Sequence, residues 1–349
     1  MKAAVIGTGR IAKQHLLCLK ELPGVEVAAV CDLWQPLAEA ASERYGVGRW
    51  YTDHRRMLDE VKPDVVHVTT PPTSHFALAM DALNAGANVV VEKPATVKFD
   101  DLTTLRDLAT RQKKLLIEDY NYLFNASVQK ICRLIDAGEF GEVTHVEVEI
   151  CLDILGKGSP FTDRNVPHAC LLMPGGAIAD FLSHLASLTW LFAGPHKSVR
   201  TIWQKRKQDS PLPSDEMRAL LDCERATASL LFSAHTQPDV FWLRVYGTKR
   251  RAAANLFEPR LTVDRLHGGA KPLMPLFNGL QEAKDVRRSA IGGLWRKLSG
   301  GPGAYEGLWE LLRRTYGSLQ DGGEPPVSLK QIEDVNRLVA DLTKQEYAF

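Results

Sequence analysis

The segment that most constrains the fold is an apolar run, Lys2–Ile6, that ends directly in two glycines. Gly7 allows a tight turn, Gly9 lets a ligand approach the backbone, and Ala12 is small enough for a helix to pack closely on a strand. A helix-like stretch starts at once after the glycines. The chain is therefore predicted to open with a strand, a turn and a helix, the first part of a βαβ unit.

Apolar runs and helical patterns then alternate as far as about residue 120. The predicted strands are 2–6, 25–31, 64–69, 88–91 and 115–118, and the predicted helices lie near 10–21, 35–45, 73–85 and 99–112. This alternation indicates a parallel sheet with helices on both faces, an α/β doubly wound domain of the Rossmann type. Ligands of such sheets lie beyond the C-terminal ends of the strands, so the residues that follow each strand are the candidate site residues.

The turn after the first strand has the chemistry of a dinucleotide site, because free N–H groups at a helix start attract a pyrophosphate. The residues of this turn are Gly7, Thr8, Gly9, Arg10 and Ile11. A second apolar run ends in Asp32, about twenty residues further on, where an acid accepts hydrogen bonds from a ribose and repels a 2′-phosphate. Leu33 and Trp34 follow, with no arginine to receive that phosphate. The pattern favours NAD over NADP.

Composition limits the class of protein. The 349 residues carry 43 basic and 42 acidic side chains, a net charge of +1 that gives no attraction to nucleic acid or anionic membranes. Hydrophobic content of 45% and charged content of 24% are typical of a globular protein long enough for two domains. Six cysteines are scattered without the spacing of a disulfide framework or a metal site. We expect a cytoplasmic protein with reduced thiols, no bound metal and no integral membrane contact.

The pattern changes after residue 121. Helical patterns are confined to 126–137, 176–192 and 328–344, and strand-like runs lie at 142–150, 197–205, 215–223, 226–235, 240–247 and 260–265. Successive strands without intervening helices indicate a mostly antiparallel sheet. We therefore predict two domains, an NAD-binding Rossmann domain at 1–121 and a C-terminal α+β domain at 122–349. The segments 151–174 and 266–310 show no clear period.

An acid and an imidazole are four residues apart in the predicted helix at 176–192. Asp180 and His184 would share one face of that helix, and Gly175 and Gly176 just before it allow a ligand to approach the backbone. A histidine suits removal of a hydroxyl proton near neutral pH, and a nearby carboxylate can orient its ring. The same spacing is also common in surface pairs and capped core histidines. As a metal pair it lacks a third ligand.

A lysine follows the predicted strand at 88–91. Lys93 lies between Glu92 and Pro94, at the strand end where the sheet geometry places a bound nicotinamide. An ammonium group there stabilises a developing alkoxide. The alternative is a solvated lysine at a strand end.

The order of these motifs over nearly the whole chain resembles the Gfo/Idh/MocA family of oxidoreductases. That order is the glycine turn, Asp32, Thr70-Pro71-Pro72 with His75, Glu92-Lys93-Pro94, Gly175-Gly176, and Asp180 with His184. The segment FWLRVYGTKRRAAANLF at 241–257 and the closing GGEPPVSLKQIEDV extend the resemblance. It implies that the second domain carries a large open-faced sheet through which subunits pair as homodimers or homotetramers. It also makes Lys93-Pro94 a candidate cis peptide.

The resemblance implies an NAD(H)-dependent dehydrogenase that transfers a hydride between the nicotinamide and a secondary alcohol of a sugar, cyclitol or sugar-like polyol. Lys93, Asp180 and His184 match the family's catalytic positions. The cofactor candidates are Gly7, Thr8, Gly9, Arg10, Ile11, Asp32, Thr70, Pro71, His75, Glu92, Lys93 and Asn121. The substrate candidates are Lys93, Tyr120, Tyr122, Arg164, Asn165, His168, Asp180 and His184.

Some features leave alternatives open. In many relatives an arginine follows the asparagine after the sixth strand, but here Tyr122 follows Asn121. The basic segment 284–298, KDVRRSAIGGLWRKL, is not explained by the family and could receive a diphosphate, lie on anionic lipid, or form a solvated lid or interface helix. One alternative function is therefore a nucleotide-sugar dehydrogenase or reductase of polysaccharide biosynthesis. Another is a non-catalytic NAD-binding sensor.

Overall fold

The computed structural model describes residues 1–156, 159, 161, 171, 173, 175–210, 212–258, 260–264, 271–298 and 303–344. The chain divides into two structural units. The first unit comprises Met1–Asn121 and Leu308–Asn336, and the second comprises Tyr122–Gly307 and Arg337–Phe349. Each unit contains its own β-sheet.

Thirteen strands and ten α-helices are assigned within the described residues. The strands are β1 (Lys2–Ile6), β2 (Glu26–Cys31), β3 (Trp50–Tyr51), β4 (Val65–Val68), β5 (Asn88–Val91), β6 (Leu116–Glu118), β7 (Val143–Cys151), β8 (His196–Gln204), β9 (Glu216–Cys223), β10 (Thr227–Ser233), β11 (Val240–Gly247), β12 (Arg251–Asn255) and β13 (Arg260–Asp264). The helices are α1 (Ala12–Glu21), α2 (Gln35–Tyr45), α3 (His54–Val61), α4 (Pro72–Asn84), α5 (Phe99–Gln112), α6 (Ala126–Asp136), α7 (Gly176–Ala193), α8 (Met274–Leu298), α9 (Glu306–Asp321) and α10 (Leu329–Lys344).

The first unit is built on a six-stranded parallel sheet in the order β3-β2-β1-β4-β5-β6. Its central strands are mostly apolar because both faces are covered: Ala3, Ala4 and Val5 are fully buried, and so is every residue of β4, including His67. Five of the six strands lie where the sequence predicted strands. The predicted doubly wound α/β fold is confirmed.

The sequence analysis missed β3 and α3. β3 pairs only Trp50 and Tyr51 with β2, so it is too short to show a strand period. α3 begins after Asp53, whose side chain accepts hydrogen bonds from the backbone N–H groups of Arg55 at 2.9 Å and Arg56 at 3.4 Å. This is an N-cap, and it satisfies two of the donors that a helix start leaves without partners.

A late segment of the chain, Leu308–Asn336, belongs to the first unit. Leu308, Leu311, Leu312 and Tyr316 of α9 are buried there. The sequence analysis had placed this segment in a domain spanning 122–349, so the structure groups it differently. The reason is that an apolar stripe shows that one face of a helix is buried, but not which sheet that face covers.

The second unit is built on a seven-stranded sheet in the order β13-β12-β11-β7-β10-β9-β8. β7 and β10 are parallel, and the other neighbouring pairs are antiparallel, as predicted. α7 packs against β7 and β10. β12 was not predicted because its sequence, RAAAN, does not alternate apolar and polar residues.

Two helices of the second unit are relevant to whether the chain contacts a membrane. α7 is long and apolar enough to cross a membrane, but 78% of it is buried inside the protein, as in the core helix of a globular domain. α8 contains the basic segment 284–298 and exposes several large apolar side chains, namely Leu276, Phe277, Leu280 and Ile291. A cytoplasmic location stays a prediction.

Candidate active site

The glycine turn after β1 has the backbone that the sequence predicted. Gly7 has a φ of +89°, and a Cβ placed there would lie 2.7 Å from Thr70 Cγ2 and 2.9 Å from the backbone between Thr69 and Thr70. Only glycine therefore fits at this position. A Cβ on Gly9 would meet nothing within 4 Å, so the turn is open on that side. The open side is the one that a phosphate group needs.

Asp32 connects this turn to the end of β2. Its Oδ2 accepts hydrogen bonds from the backbone N–H of Thr8 at 2.8 Å and from the Thr8 hydroxyl at 2.9 Å, while its Oδ1 accepts from the Trp34 N–H at 3.0 Å. An ionised carboxylate has about four acceptor positions, so one is left for a ribose hydroxyl. The predicted acid of the dinucleotide fingerprint is thus held against the turn.

Two further observations fit a dinucleotide in the first unit. Ile11 begins α1 without a side-chain cap, and no acid lies in the first turn, so the end of this helix remains suited to an anion. Asn121 Oδ1 is buried without a hydrogen-bond partner among the described residues. Burying an unpaired amide oxygen is costly, and a bound ligand that donates to it removes that cost. Arg10 is exposed and Ile11 half-buried beside the same turn.

His75 connects the segments that follow β4 and β5. Its Nε2 lies 2.7 Å from the carbonyl oxygen of Thr70, and its Nδ1 lies 2.8 Å from the carbonyl oxygen of Pro94. Burial lowers the pKa of His75 and outweighs these two carbonyl contacts, so the neutral ring donates to one of them at a time. The structure thus brings together the predicted cofactor residues after both strands. Pro71 is exposed just before α4.

The Glu92-Lys93-Pro94 turn lies at the C-terminal end of β5, and its Lys93-Pro94 peptide is cis, as expected. Lys93 is half-buried. Burial raises the pKa of Glu92, but a hydrogen bond from His15 and the charge of Lys93 hold it below its ordinary value. Burial and the charge of Glu92 raise the pKa of Asp119 well above its usual range, so Asp119 holds a proton more tightly than Glu92 does. The two carboxyl groups are hydrogen-bonded to each other.

Two histidines behind this turn were missed by the sequence analysis. His15 Nε2 lies 3.1 Å from Glu92 Oε1, His15 Nδ1 lies 2.9 Å from His67 Nδ1, and His67 Nε2 lies 2.9 Å from the hydroxyl of Tyr316. His15 and His67 are fully buried. For His67 the available signal was its position inside the apolar strand VVHV, because a buried imidazole requires a hydrogen-bond partner. His15 follows Lys13 and Gln14, so its segment gave no such signal.

A second buried group surrounds Glu118 at the end of β6. Its Oε2 accepts hydrogen bonds from the Tyr120 hydroxyl at 2.9 Å and from Asn336 Nδ2 at 2.6 Å. Burial raises the pKa of Glu118 to about 7. Tyr120 is fully buried, and its hydroxyl forms its hydrogen bonds inside the first unit. This placement does not favour the substrate contact predicted for Tyr120.

In the second unit, α7 carries the predicted acid and imidazole. Gly175 and Gly176 have φ values of +82° and +57°, so both take the left-handed conformation that glycine tolerates. Asp180 is half-buried and His184 is buried, one helical turn apart. The His184 ring meets the Tyr122 ring edge-on at 4.8 Å between centroids, and Phe241 lies 6.4 Å away. The structure therefore brings the predicted substrate residue Tyr122 to His184.

Three predicted substrate residues, Arg164, Asn165 and His168, lie outside the described residues. The roles of all the predicted site residues stay proposals.

These features define a class of protein. A parallel sheet whose glycine turn suits a dinucleotide, followed by an acid on β2 and a lysine after β5, is typical of NAD-binding oxidoreductases. Residues 1–120 match the oxidoreductase family with an NAD-binding Rossmann fold, and residues 128–253 match the GFO/IDH/MocA C-terminal domain. The chain belongs to the Gfo/Idh/MocA family, and the resemblance stated from its motifs is confirmed. NAD as the cofactor agrees with this family and with the preference inferred from Asp32.

Relatives of known activity match parts of the chain. D-glucoside 3-dehydrogenase of Escherichia coli (strain K12) is 33% identical over 144 residues, which cover 41% of this chain and 41% of the relative. Inositol 2-dehydrogenase of Salmonella typhimurium (strain LT2) is 25% identical over 209 residues, 59% of each chain. The chain thus spans about half the length of the curated relatives it matches.

Solved structures match the fold over the whole chain. The WlbA dehydrogenase from Bordetella pertussis, in complex with NADH and UDP-GlcNAcA, has a TM-score of 0.80 at 19% identity and covers 100% of this chain and 96% of its own. Levoglucosan dehydrogenase in complex with NADH has a TM-score of 0.79 at 16% identity, with coverage of 100% and 97%. At these identities the likeness shows the fold.

Proposed function

We propose that the chain is an NAD-dependent dehydrogenase that transfers a hydride between the nicotinamide and a secondary alcohol of a sugar, cyclitol or sugar-like polyol. Membership of the family supports the reaction type. The sugar and cyclitol dehydrogenases among its relatives support the substrate class. Lys93, Asp180 and His184 are the proposed catalytic residues.

In the proposed mechanism the side chains handle a proton and a charge. When bound, NAD accepts the hydride from the alcohol carbon. His184 takes the hydroxyl proton, because an imidazole changes its charge near neutral pH. Asp180, one turn earlier on α7, orients the substrate oxygen and favours the charged imidazole. Lys93 stabilises the negative charge that develops on the oxygen as its proton leaves.

The position of Lys93 is the observation that carries the proposal. It follows β5, two strands along the sheet from the glycine turn, on the edge where doubly wound sheets bind their ligands. Burial acts to raise the pKa of three carboxyl groups near it, Glu92, Glu118 and Asp119, and the charge of Lys93 opposes that rise in each of them. Half-burial among carboxyl groups supports a role for Lys93 at the site over the alternative of a solvated strand end.

The test is to follow NADH formation by absorbance across a panel of sugars, inositols and sugar acids. We expect Lys93→Ala and His184→Ala to lower kcat by at least about a hundredfold. The Kd for NAD should change by less than about threefold, because other residues are proposed to make most of the contacts with the dinucleotide. Lys114→Ala is the matched control, since Lys114 precedes β6 at the other edge of the sheet. It should leave kcat unchanged.

Each result has a clear meaning. An unchanged kcat in either variant would remove that residue from the mechanism. Tight NAD binding with no turnover on any substrate would favour a non-catalytic sensor instead.

A nucleotide-linked sugar is a second substrate class, favoured by two observations. One solved protein of this fold, WlbA, holds UDP-GlcNAcA. In addition, α8 carries Lys284, Arg287 and Arg288, cations that attract a diphosphate. Competition decides between the classes: UDP alone should inhibit a nucleotide-sugar enzyme and leave an enzyme for free sugars unaffected. Lys284→Ala/Arg288→Ala should weaken that inhibition.

The second sheet supports a proposal about assembly. Ile202 and Leu220 are large apolar side chains exposed on this sheet, next to a groove of about 430 Å³ that is also lined by Arg200, Arg218 and Arg244. Exposed apolar patches of this kind mark interaction surfaces. We propose that this face pairs two copies of the chain, as the family resemblance implied.

A further inference from the structure

Five buried side chains of the first unit form one continuous hydrogen-bonded chain, which we call the histidine relay. It runs from Tyr316 through His67, His15 and Glu92 to Asp119. Its members come from α9, β4, α1 and the ends of β5 and β6. Buried polar networks of this kind stabilise a structure only when every donor finds an acceptor. That condition allows the protons to be assigned.

The assignment starts at Glu92, which is a charged acceptor. His15 therefore carries a proton on Nε2 and donates it to Glu92 Oε1 at 3.1 Å. Its Nδ1 is then free to accept, so the contact of 2.9 Å with His67 requires the proton on His67 Nδ1. His67 Nε2 accepts in turn from the Tyr316 hydroxyl at 2.9 Å. Asp119, the carboxyl group of the pair with the raised pKa, holds the proton and donates it to Glu92.

We infer that His15 and His67 form a neutral bridge that fixes a single negative charge on Glu92, and that His15 is thereby a positioning residue for the neighbouring Lys93. This inference rests on the proposed function of Lys93. Burial, the largest cause, places the pKa of His67 well below its ordinary value, which agrees with a neutral His67 ring.

A second proton arrangement also satisfies the same distances. In it His15 carries two protons and donates to both Glu92 and His67, and His67 donates to the Tyr316 oxygen. The Tyr316 hydroxyl proton then needs another acceptor, and the structure gives it none within the described residues. The neutral arrangement uses every donor, so it is the favoured one.

The relay has a consequence for Lys93. A carboxylate buried beside Asp119 keeps its charge only while it receives hydrogen bonds. Without the N–H from His15, Glu92 would take up a proton at higher pH, and Lys93 would lose the negative charge of the residue that precedes it in the chain. The titratable groups around Glu92 are His15 of α1, His67 of β4, His75 of α4, Asp119 after β6, and Lys93.

The first test reads the protons directly and needs no turnover. The protein labelled with ¹⁵N in its histidines is studied by NMR from pH 6 to 8, with His15→Gln and His67→Gln used to assign the signals. We expect His15 as the Nε2–H tautomer and His67 as the Nδ1–H tautomer over the whole range. Two protonated nitrogens on either ring, or the reversed tautomers, would overturn the inference.

The second test separates positioning from folding. His15→Leu removes both hydrogen bonds, whereas His15→Gln keeps an N–H donor for Glu92 and an oxygen that accepts from His67. We expect His15→Leu to lower kcat about tenfold or more, to change the Kd for NAD less than about threefold, and to move the acid limb of kcat/KM upward by about one pH unit. His15→Gln should restore kcat to within about threefold.

The matched control is His54→Gln, since His54 Nε2 contacts Asp81 at 2.8 Å in the same unit but outside the relay. It should leave the pH profile unchanged. If both His15 variants lose kcat equally and the acid limb of the kcat/KM pH profile does not shift, His15 has a structural role and the inference is wrong. If His15→Leu does not fold, Tyr316→Phe replaces it. There the His67 signal should become a tautomer mixture, and an unaltered signal counts against the relay.

The outcome of these tests can be distinguished from the outcome of the test of the proposed function. Correct tautomers in a protein without dehydrogenase activity would keep the hydrogen bonds of the relay and reject the role of Lys93. Metal analysis after chelation is the last check, because ligand atoms of His15, Glu92 and Asp119 lie within 4.8 Å of one another. A stoichiometric divalent metal would replace the shared-proton arrangement and overturn it.

Discussion

The two units organise their candidate site residues in different ways. In the first unit the residues after β5 and β6 belong to connected hydrogen bonds, and Glu92 and Glu118 each have a pKa set by burial and named partners. In the second unit His184 lies on a core helix among aromatic rings, with Tyr122 and Phe241 as its neighbours. Hydrogen bonds therefore set the charges of the site residues in the first unit, whereas packing sets the position of the His184 ring in the second.

Because of this difference, we expect the two units to be sensitive to different kinds of change. A hydrogen-bonded group responds to pH and to the loss of a donor or acceptor. A packed ring responds to volume, because the atoms around it relax only partly into a cavity. The following changes test that contrast, beginning with the largest expected effect.

Removal of the Phe241 ring should produce the largest loss of stability. Phe241 is fully buried and contacts the rings of Tyr122 and Phe257, at 4.7 and 5.5 Å between centroids. We expect Phe241→Ala to lower the free energy of unfolding by about 3–5 kcal/mol, measured by urea denaturation. Phe241→Leu should cost about 1 kcal/mol. A loss below about 1 kcal/mol for the alanine variant would mean that packing does not hold this site.

In the first unit, Gly7→Ala should act through the backbone. The new Cβ would approach Thr70 and the backbone of Thr69 within 3 Å at a φ of +89°. We expect a loss of about 2–4 kcal/mol in the free energy of unfolding. Gly9→Ala is the control, since its Cβ meets open space. It should change stability by less than about 0.5 kcal/mol and still weaken NAD binding. Equal stability of the two variants would contradict the geometry.

Glu118→Gln tests the hydrogen-bonded side of the contrast. The folded pKa of about 7 lies above the unfolded value of about 4.5, so wild-type stability falls as pH rises between these values. Glutamine has no proton to lose. The variant should therefore gain on the order of 2 kcal/mol relative to wild type between pH 4.5 and pH 8. Urea unfolding at both pH values measures the gain, and parallel pH dependence in the two proteins would show that Glu118 does not titrate as described.

Leu220→Glu should have the smallest effect on folding. Leu220 is two-thirds exposed (67%), so its replacement should change the free energy of unfolding by less than about 0.5 kcal/mol. If the exposed sheet pairs two copies, the same change should halve the mass in light scattering. Leu37→Glu, on the half-exposed face of α2, is the control and should leave the mass unchanged. An unaltered oligomer in Leu220→Glu would remove this face from the assembly.

Much of the first sheet could be predicted from sequence because its strands are buried on both faces. β1 matches its predicted limits, and Gly7, Asp32 and Lys93 were found because residues after parallel strands meet at one edge. The same reasoning failed for elements without a clear period. β12 is rich in alanine, and no side chain described in α8 is buried, so neither element shows a clear period.

The missed part of the site is the histidine relay. His15 and His67 are separated by more than fifty residues, and only His67 is a single polar residue in an apolar segment. Sequence shows that such residues need partners, but the partners appear only when α1 lies against β4. Tyr316 was harder still to predict, because the sequence of an amphipathic helix does not show which sheet the helix covers.

The membership of Leu308–Asn336 in the first unit has a consequence for biosynthesis. Roughly 190 residues separate this segment from Asn121, so a ribosome adding roughly 5–20 residues per second delivers it about 10–40 s later. During that interval His67 lacks the Tyr316 hydroxyl and Glu118 lacks the Asn336 amide. The strands of the first unit therefore leave the ribosome before the residues that complete their buried hydrogen bonds.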